Sequence, residues 1–164
     1  MMGKTSHQSL AAAARPIYRP GVAAIVRDAA GRILIGERAD LAGAWQFPQG
    51  GREPGESADA ALAREMREET SLEPGDYRVL DRRGPYRYLF PPGRTKDGFR
   101  GQEHEYFLVE LLGPATRVNV ATPEPEFRVV RWIAPAEFSL AWVAEMKREV
   151  YRQLFRDFFG LEVA

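Results

Sequence analysis

Around Gly50 the chain changes character abruptly, and that junction restricts its folding more than any other feature. Pro48-Gln49-Gly50-Gly51 is a loop that cannot be helical, and Arg52-Glu53-Pro54-Gly55 prolongs it. Directly behind it, Ser57 to Thr70 is rich in Ala, Leu, Arg, Glu and Met and reads as the clearest helix, with Ser57 as its N-cap. Glu65, Glu68 and Glu69 stand at i, i+3 and i+4 on that helix. At ~100° per residue they share one arc of about 100°. Like charges at these spacings weaken a helix, so something must offset them. A divalent cation held by oxygen ligands does so, and Mg²⁺ favours carboxylates, waters and substrate phosphates over a closed protein cage. The plainer alternative is a solvated acidic face eased by Arg64 and Arg67. Against it stands the glycine loop, whose Gly50 and Gly51 N–H groups can approach an anion closely. Glu56 and Arg64 lie eight residues apart and close in helical angle, so they can pair.

The remaining elements surround this junction. Val22 to Val26, the turn Asp28-Ala29-Ala30-Gly31 and Ile33 to Ile35 read as a hairpin, and Trp45 to Phe47 as a further short strand. Arg78 to Asp81, Tyr86 to Phe90, Tyr106 to Leu112 and Phe127 to Ile133 are strand candidates. A second helix is expected from about Trp142 to Phe159, stopped by Gly160. Its Val143, Met146, Val150, Leu154 and Phe158 fall at helical spacing and read as core packing. Residues 1–16 are expected to hang loose up to Pro16, and Gly3-Lys4-Thr5 lacks the upstream glycine and strand of a phosphate loop. No repeat or linker splits residues 17–164, which are expected to form one α/β (α+β) domain on a mixed sheet.

Composition narrows the chemistry. The 164 residues contain no cysteine and only His7 and His104, which excludes disulfides, thiol nucleophiles and Cys-ligated zinc. Acid–base and metal chemistry must then rest on carboxylates and arginines. Twenty-three basic and 23 acidic side chains give zero net charge, which argues against a general nucleic-acid sleeve. No DNA partner is expected. No apolar run approaches the ~20 residues that cross a bilayer, and Leu10 to Ala14 is too short for a signal-peptide core. A soluble, cytoplasmic protein without a membrane partner is therefore expected. Twenty arginines stand against three lysines, so only arginines with a defined place in a motif are given weight.

Gly50, Glu56, Arg64, Glu65, Met66, Glu68, Glu69 and Leu72 match the box G-x5-E-x7-R-E-U-x-E-E-x-G-U, with U apolar. By this resemblance the chain is identified as a member of the Nudix hydrolases. Six glycine or charged positions coincide by chance at only ~10⁻⁷ per start site. One position departs: Ser71 stands where the box has its second glycine. If the helix ends there with positive φ, a serine strains the turn by ~1 kcal/mol. Tyr18-Arg19-Pro20-Gly21-Val22, Trp45 to Gly51, Pro54-Gly55-Glu56-Ser57, Pro125-Glu126-Phe127 and Lys147 to Tyr151 resemble two groups alike. These are the bacterial RNA pyrophosphohydrolases and the plant-type diadenosine polyphosphate hydrolases.

The resemblance implies a Nudix α/β/α sandwich around a central mixed sheet. It also implies attack of metal-activated water on a phosphorus of X–O–P–O–P, with Mg²⁺ as cofactor and Mn²⁺ as an alternative ion. Mapped by motif, Glu65 and Glu69 are the main metal ligands, and Glu68 is a ligand or the base. Glu126 matches a carboxylate outside the box that ligates metal or accepts the water's proton. Glu56 and Arg64 read as a structural pair. Arg19 and Arg38 match phosphate-binding arginines, and Lys147 a basic residue near the substrate; a plain surface charge is the alternative for each. Tyr88 lies 16 residues past Leu72, a spacing that resembles the diadenosine polyphosphate group; its ring can stack on a base, with plain strand packing as the alternative. His104 and Glu105 read as structural. Residues 73–102 carry seven basic against four acidic side chains, and the resemblance, which sets this region beside the substrate cleft, implies either a track for an RNA backbone or a solvated Arg-rich loop pair with no RNA role. The implied substrate is a 5′-polyphosphorylated RNA end or a nucleotide polyphosphate. The alternatives are a diadenosine polyphosphate hydrolase and a catalytically silent nucleotide-binding module. An ADP-sugar pyrophosphatase finds no support in the flanking motifs, and no motif speaks to oligomeric state.

Overall fold

A computed structural model describes residues 17–164; the segment 1–16, expected to hang loose, lies outside the described residues. Strand β1 (Tyr18–Arg27) explains the architecture, because both of its faces are buried. Val22, Ala24 and Val26 face one cluster, while Ala23 and Ile25 face the other, the two-residue alternation of a central strand. Asp28 starts the turn to β2 (Ile33–Arg38) by accepting the Ala30 and Arg32 N–H groups at 3.0 and 2.8 Å. Next come β3 (Trp45–Gln46), β4 (Gln49–Gly51), helix α1 (Ala58–Thr70), β5 (Tyr77–Leu89) and β6 (Gly101–Leu111). Strand β7 (Phe127–Ile133) and helix α2 (Arg148–Phe159) complete the described elements.

The sheet is mixed, ordered β3-β2-β1-β6-β5, with β1 and β6 parallel from Tyr18↔Gly101 to Arg27↔Glu110. Strands β1 and β2 meet at Arg27↔Ile33 and then diverge, β2 pairing with β7 and β3 instead. Strand β4 enters the gap and pairs with β1 at Gly21↔Gly51, Val22↔Gly50 and Ala23↔Gln49. Helix α1 lays Ala58, Ala61, Leu62 and Met66 on one face of the sheet. Helix α2 lays Val150, Tyr151, Leu154 and Phe155 on the other. Each fully buried large apolar side chain contributes about 1.5–3 kcal/mol. The result is the expected α/β/α sandwich. No helix among the described residues is long and apolar enough to cross a membrane.

Several elements differ from the sequence expectation. The supposed loop 48–51 contains β4, because the divergence of β1 and β2 leaves backbone groups that Gln49–Gly51 satisfies. The two strand candidates at 78–81 and 86–90 form one strand, β5, with register shifts between Val79 and Asp81 and between Arg83 and Tyr86. Strand β6 starts at Gly101, ahead of the expected Tyr106. The second helix begins at Arg148, not Trp142. Short 3₁₀ turns at Leu140–Trp142 and Glu145–Lys147 precede it, with Val143 extended between them. Val143 reaches the core from this extended backbone, so its spacing to Val150 mimics a helical repeat without forming one.

Helix α1 has the expected ends. The Ser57 hydroxyl accepts the Ala60 N–H at 3.1 Å. Ser71 adopts φ 64°, the left-handed region that favours glycine. Its hydroxyl donates to the Asn119 carbonyl at 2.7 Å, while the Asn119 N–H donates to the Thr70 carbonyl at 3.0 Å. The strain at Ser71 is therefore set against a bond that glycine could not make.

Candidate active site

A cavity of about 590 Å³ opens where β4, α1 and the loop before β7 meet. All ten residues expected to bind substrate or metal line it: Arg19, Arg38, Gly50, Gly51, Glu65, Glu68, Glu69, Tyr88, Glu126 and Lys147. They divide into an acidic end and a basic end.

The acidic end is organised by Arg64. Its guanidinium grips Glu56 through two bonds of 2.9 Å, donates to the Gly51 carbonyl at 2.8 Å and reaches Glu65 Oε1 at 2.8 Å. One side chain thus ties loop to helix and fixes the Glu65 carboxylate. The Arg64 guanidinium in turn lowers the Glu56 carboxyl to about 2. A Cβ at Gly50 would displace the Glu65 carboxyl, and one at Gly51 would displace the Arg19 guanidinium. The two glycines thus let both charged groups lie against the loop backbone. Glu69 is only 6% exposed and accepts the Gln49 N–H at 3.0 Å. Burial holds its carboxyl well above the usual range, with Glu65 and Glu126 adding repulsion. Burial also raises Glu65. Glu68 stands at the exposed mouth, 3.4 Å from Arg64. Glu126 is placed by its backbone, its carbonyl accepting the Ala39 N–H at 2.9 Å.

Carboxylates that repel one another around the buried Glu69 form a hard-oxygen donor set suited to a divalent cation. Among the described residues no group of three or more such side chains stands ready to hold an ion alone. The arrangement is open, of the kind in which phosphate oxygens and waters complete the shell.

The basic end carries Arg19, Arg38 and Lys147. Arg19 covers Gly51 and donates through Nε to Asp97 at 3.1 Å. Arg38 forks onto Asp40 at 2.8 and 2.9 Å. Lys147 is 4% exposed and donates to Gln46 Oε1 at 2.7 Å. Among the described residues no carboxylate forms an ion pair with it. Burial, then the nearby Arg38, lowers it to about 8. A buried ammonium whose hydrogen-bond partner is a neutral amide favours an incoming anion. Tyr88 lies beside it, with Nζ 5.8 Å from the ring centroid, and burial raises the phenol to about 12. His104 is 2% exposed, as a structural residue would be, yet it also forms part of the cavity wall; burial lowers it to about 3.

The sequence reading missed Gln46, Gln49 and Gln102, which line the cavity as uncharged amides. Their one sequence signal is a polar residue inside an otherwise apolar or glycine-rich stretch. Met146, read as core, lines the cavity as well. The basic segment 73–102 divides into two groups. Arg78, Arg82, Arg83 and Arg87 pair along the sheet with Glu110, Glu105, Asp81 and Glu103. Of the seven basic side chains there, only Arg94 and Lys96 line the cavity.

Comparison with known proteins agrees with this geometry. The NUDIX domain model matches residues 17–157. The chain is 36% identical over 165 residues to an RNA pyrophosphohydrolase of Rickettsia bellii, covering 98% of this chain and 99% of the relative. It is 36% identical over 149 residues to the RNA pyrophosphohydrolase of Rickettsia canadensis, covering 88% and 91%. A C. elegans Ap4A hydrolase binary complex superposes with a TM-score of 0.63 at 17% identity, over 87% of this chain and 99% of that one. The E. coli dihydroneopterin triphosphate pyrophosphohydrolase does so with 0.65 at 18% identity, over 87% and 97%. At such identities these structures speak for the fold. The family model and the two relatives speak for descent, and the chain belongs to the Nudix family.

Proposed function

We propose that this protein is a divalent-metal-dependent pyrophosphohydrolase that cleaves a phosphoanhydride bond of a 5′-polyphosphorylated RNA end. Mg²⁺ is its ion, Mn²⁺ the substitute, and the cytoplasm its place of action. The observation that carries this reading is the two-ended cavity: carboxylates converge at one end, Glu69 buried among them, and Arg19, Arg38 and Lys147 stand at the other. The relatives named RNA pyrophosphohydrolase, 36% identical over most of their length, favour the RNA end among polyphosphate substrates.

Glu65 and Glu69 hold the cation, with Glu68 beside them at the mouth. When bound, a divalent cation neutralises phosphate oxygens and lowers the pKa of the attacking water. Glu126 accepts the water's proton from the loop opposite the helix, and Glu68 is the second candidate for that task. Arg19, Arg38 and Lys147 hold phosphate oxygens by charge-assisted bonds. Tyr88 offers a ring to a base. That ring is also the observation favouring a second reading, a diadenosine polyphosphate hydrolase.

The test is a hydrolysis panel with Mg²⁺ on triphosphorylated RNA, diadenosine tetraphosphate, ADP-ribose and nucleoside triphosphates, with products separated chromatographically. The highest kcat/KM is expected for triphosphorylated RNA. A higher value for diadenosine tetraphosphate installs the second reading. Binding without turnover of any substrate, with either ion, makes the protein a silent nucleotide-binding module.

A further inference from the structure

Strands β5 and β6 are joined by residues 90–100, and the tip of that connection closes as a tight turn. Lys96 and Phe99 exchange backbone hydrogen bonds of 3.0 and 2.9 Å. Between them Asp97 and Gly98 have φ of 53° and 81°, the paired positive values of the tight hairpin turn that Asp-Gly favours. The base of the connection is anchored too, since the Arg100 N–H donates to the Ile17 carbonyl at 2.9 Å. At the tip, the Asp97 carboxylate accepts from Arg19 at 3.1 Å. Arg19 covers Gly51, the neighbour of the Gly50 on which Glu65 rests. A continuous path thus runs from the acidic end, through Arg19, to the hairpin tip.

Two cations on this connection, Arg94 and Lys96, line the cavity. The salt bridges among the described residues leave both without a carboxylate partner, unlike the four arginines of β5. Lys147 is buried, and Arg19 and Arg38 are already paired with Asp97 and Asp40, whereas Arg94 and Lys96 stand exposed at the rim of the cavity with no such partner among the described residues. They suit negative charge lying beyond the terminal phosphates, which a free nucleotide lacks and an RNA chain has in every internucleotide phosphate.

We infer that Arg94 and Lys96, presented by the Asp97-Gly98 hairpin, form a subsite for the leading internucleotide phosphates of an RNA 5′ end. It makes the cleft select a polynucleotide end over a free nucleotide. The inference rests on the RNA reading proposed above, and binding measured without divalent metal separates the two, because it needs no turnover.

The probes are a 3′-labelled, 5′-triphosphorylated RNA decamer and adenosine triphosphate as competitor, read by fluorescence anisotropy over a salt series. In the Arg94→Ala/Lys96→Ala variant the decamer should bind about tenfold more weakly, and its preference over the triphosphate should fall at least about fivefold. The slope of log affinity against log salt should become shallower by about 1.4, since each single-strand phosphate contact contributes ~0.7. The Arg94→Lys/Lys96→Arg variant, which keeps both charges, should retain decamer binding within about threefold. Equal losses for decamer and triphosphate would overturn the subsite, as would undiminished decamer binding. So would a charge-preserving variant as weak as the alanine one, which would reduce the pair to a structural role.

Discussion

Burial of Glu69 beside Glu65 and Glu126 disfavours its charge in the free protein and makes the same atoms ready for a cation. Replacing it with Gln keeps an oxygen for the Gln49 N–H and removes the repulsion. Glu69→Gln should therefore hold or raise the melting temperature while lowering kcat at least about 100-fold, about 2.7 kcal/mol. Near-normal kcat in the purified variant would remove Glu69 from the metal site. Glu126 sits on a loop set by backbone contacts, so Glu126→Ala should lower kcat and leave substrate affinity, measured without turnover, nearly unchanged. Lost affinity with retained kcat would move Glu126 from proton transfer to recognition. Ser71 shows a competition of small terms. Glycine would relieve about 1 kcal/mol of left-handed strain, but it would lose the hydroxyl bond to Asn119, worth about 0.5–1.5 kcal/mol. Ser71→Gly should leave thermal stability close to wild type. Ser71→Ala keeps the strain, loses the bond and should melt about 2–4 °C lower. Calorimetry on the pair decides, and an alanine variant as stable as wild type would show the bond contributes nothing.

Among the elements, α1 and its preceding loop were legible because their chemistry demands fixed local spacing. Glu56 and Arg64 meet as their eight-residue separation suggested, and the three box glutamates share a face lining the cavity. Strand β4 was not legible, since Gln49-Gly50-Gly51 has little intrinsic strand preference. Its pairing is decided by the distant divergence of β1 from β2. The start of α2 was misread because Val143 sits at helical spacing yet enters the core from extended backbone. The Asp97-Gly98 hairpin did carry a local signature, but its role comes from Arg19, 78 residues away. The loop-to-helix tie also has a pH signature. The Glu56 carboxyl lies at about 2 in the folded protein against an ordinary 4.5, so the unfolded chain binds more protons between those values. Stability from the tie is present above about 4.5 and lost as the pH falls toward 2. Melting curves should show wild type above Glu56→Gln at neutral pH, with the gap closing through that window. A gap constant down to pH 2 would assign the benefit to something other than this carboxylate's charge.

For the whole molecule, the decisive property is how a neutral chain separates its charges. The divergence of β1 and β2 creates the cavity, the acidic residues gather on α1, and the basic ones converge from β1, β2, the β5–β6 connection and the start of α2. Elsewhere opposite charges cancel locally. The positive balance of residues 73–102 is the clearest case, because Arg78, Arg82 and Arg87 face β6 carboxylates that neutralise them, while Arg83 pairs with Asp81 on its own strand. Sequence alone could not separate these groups, since Arg78 and Glu110 are 32 residues apart and are matched only by the β5–β6 register. Exposed pairs of this kind contribute little to stability, roughly 0–1 kcal/mol each, and already hold a counter-charge, so they release few ions when a polyanion binds. Salt dependence should therefore follow the cavity, not the strand. In an Arg78→Gln/Arg83→Gln variant, kcat/KM for triphosphorylated RNA should fall with added salt as steeply as in wild type, and more steeply than for diadenosine tetraphosphate. A slope shallower than wild type by about 1 or more would mean that these strand arginines release their carboxylate partners to track the RNA backbone, and the nucleic-acid surface would then extend along β5 beyond the cavity.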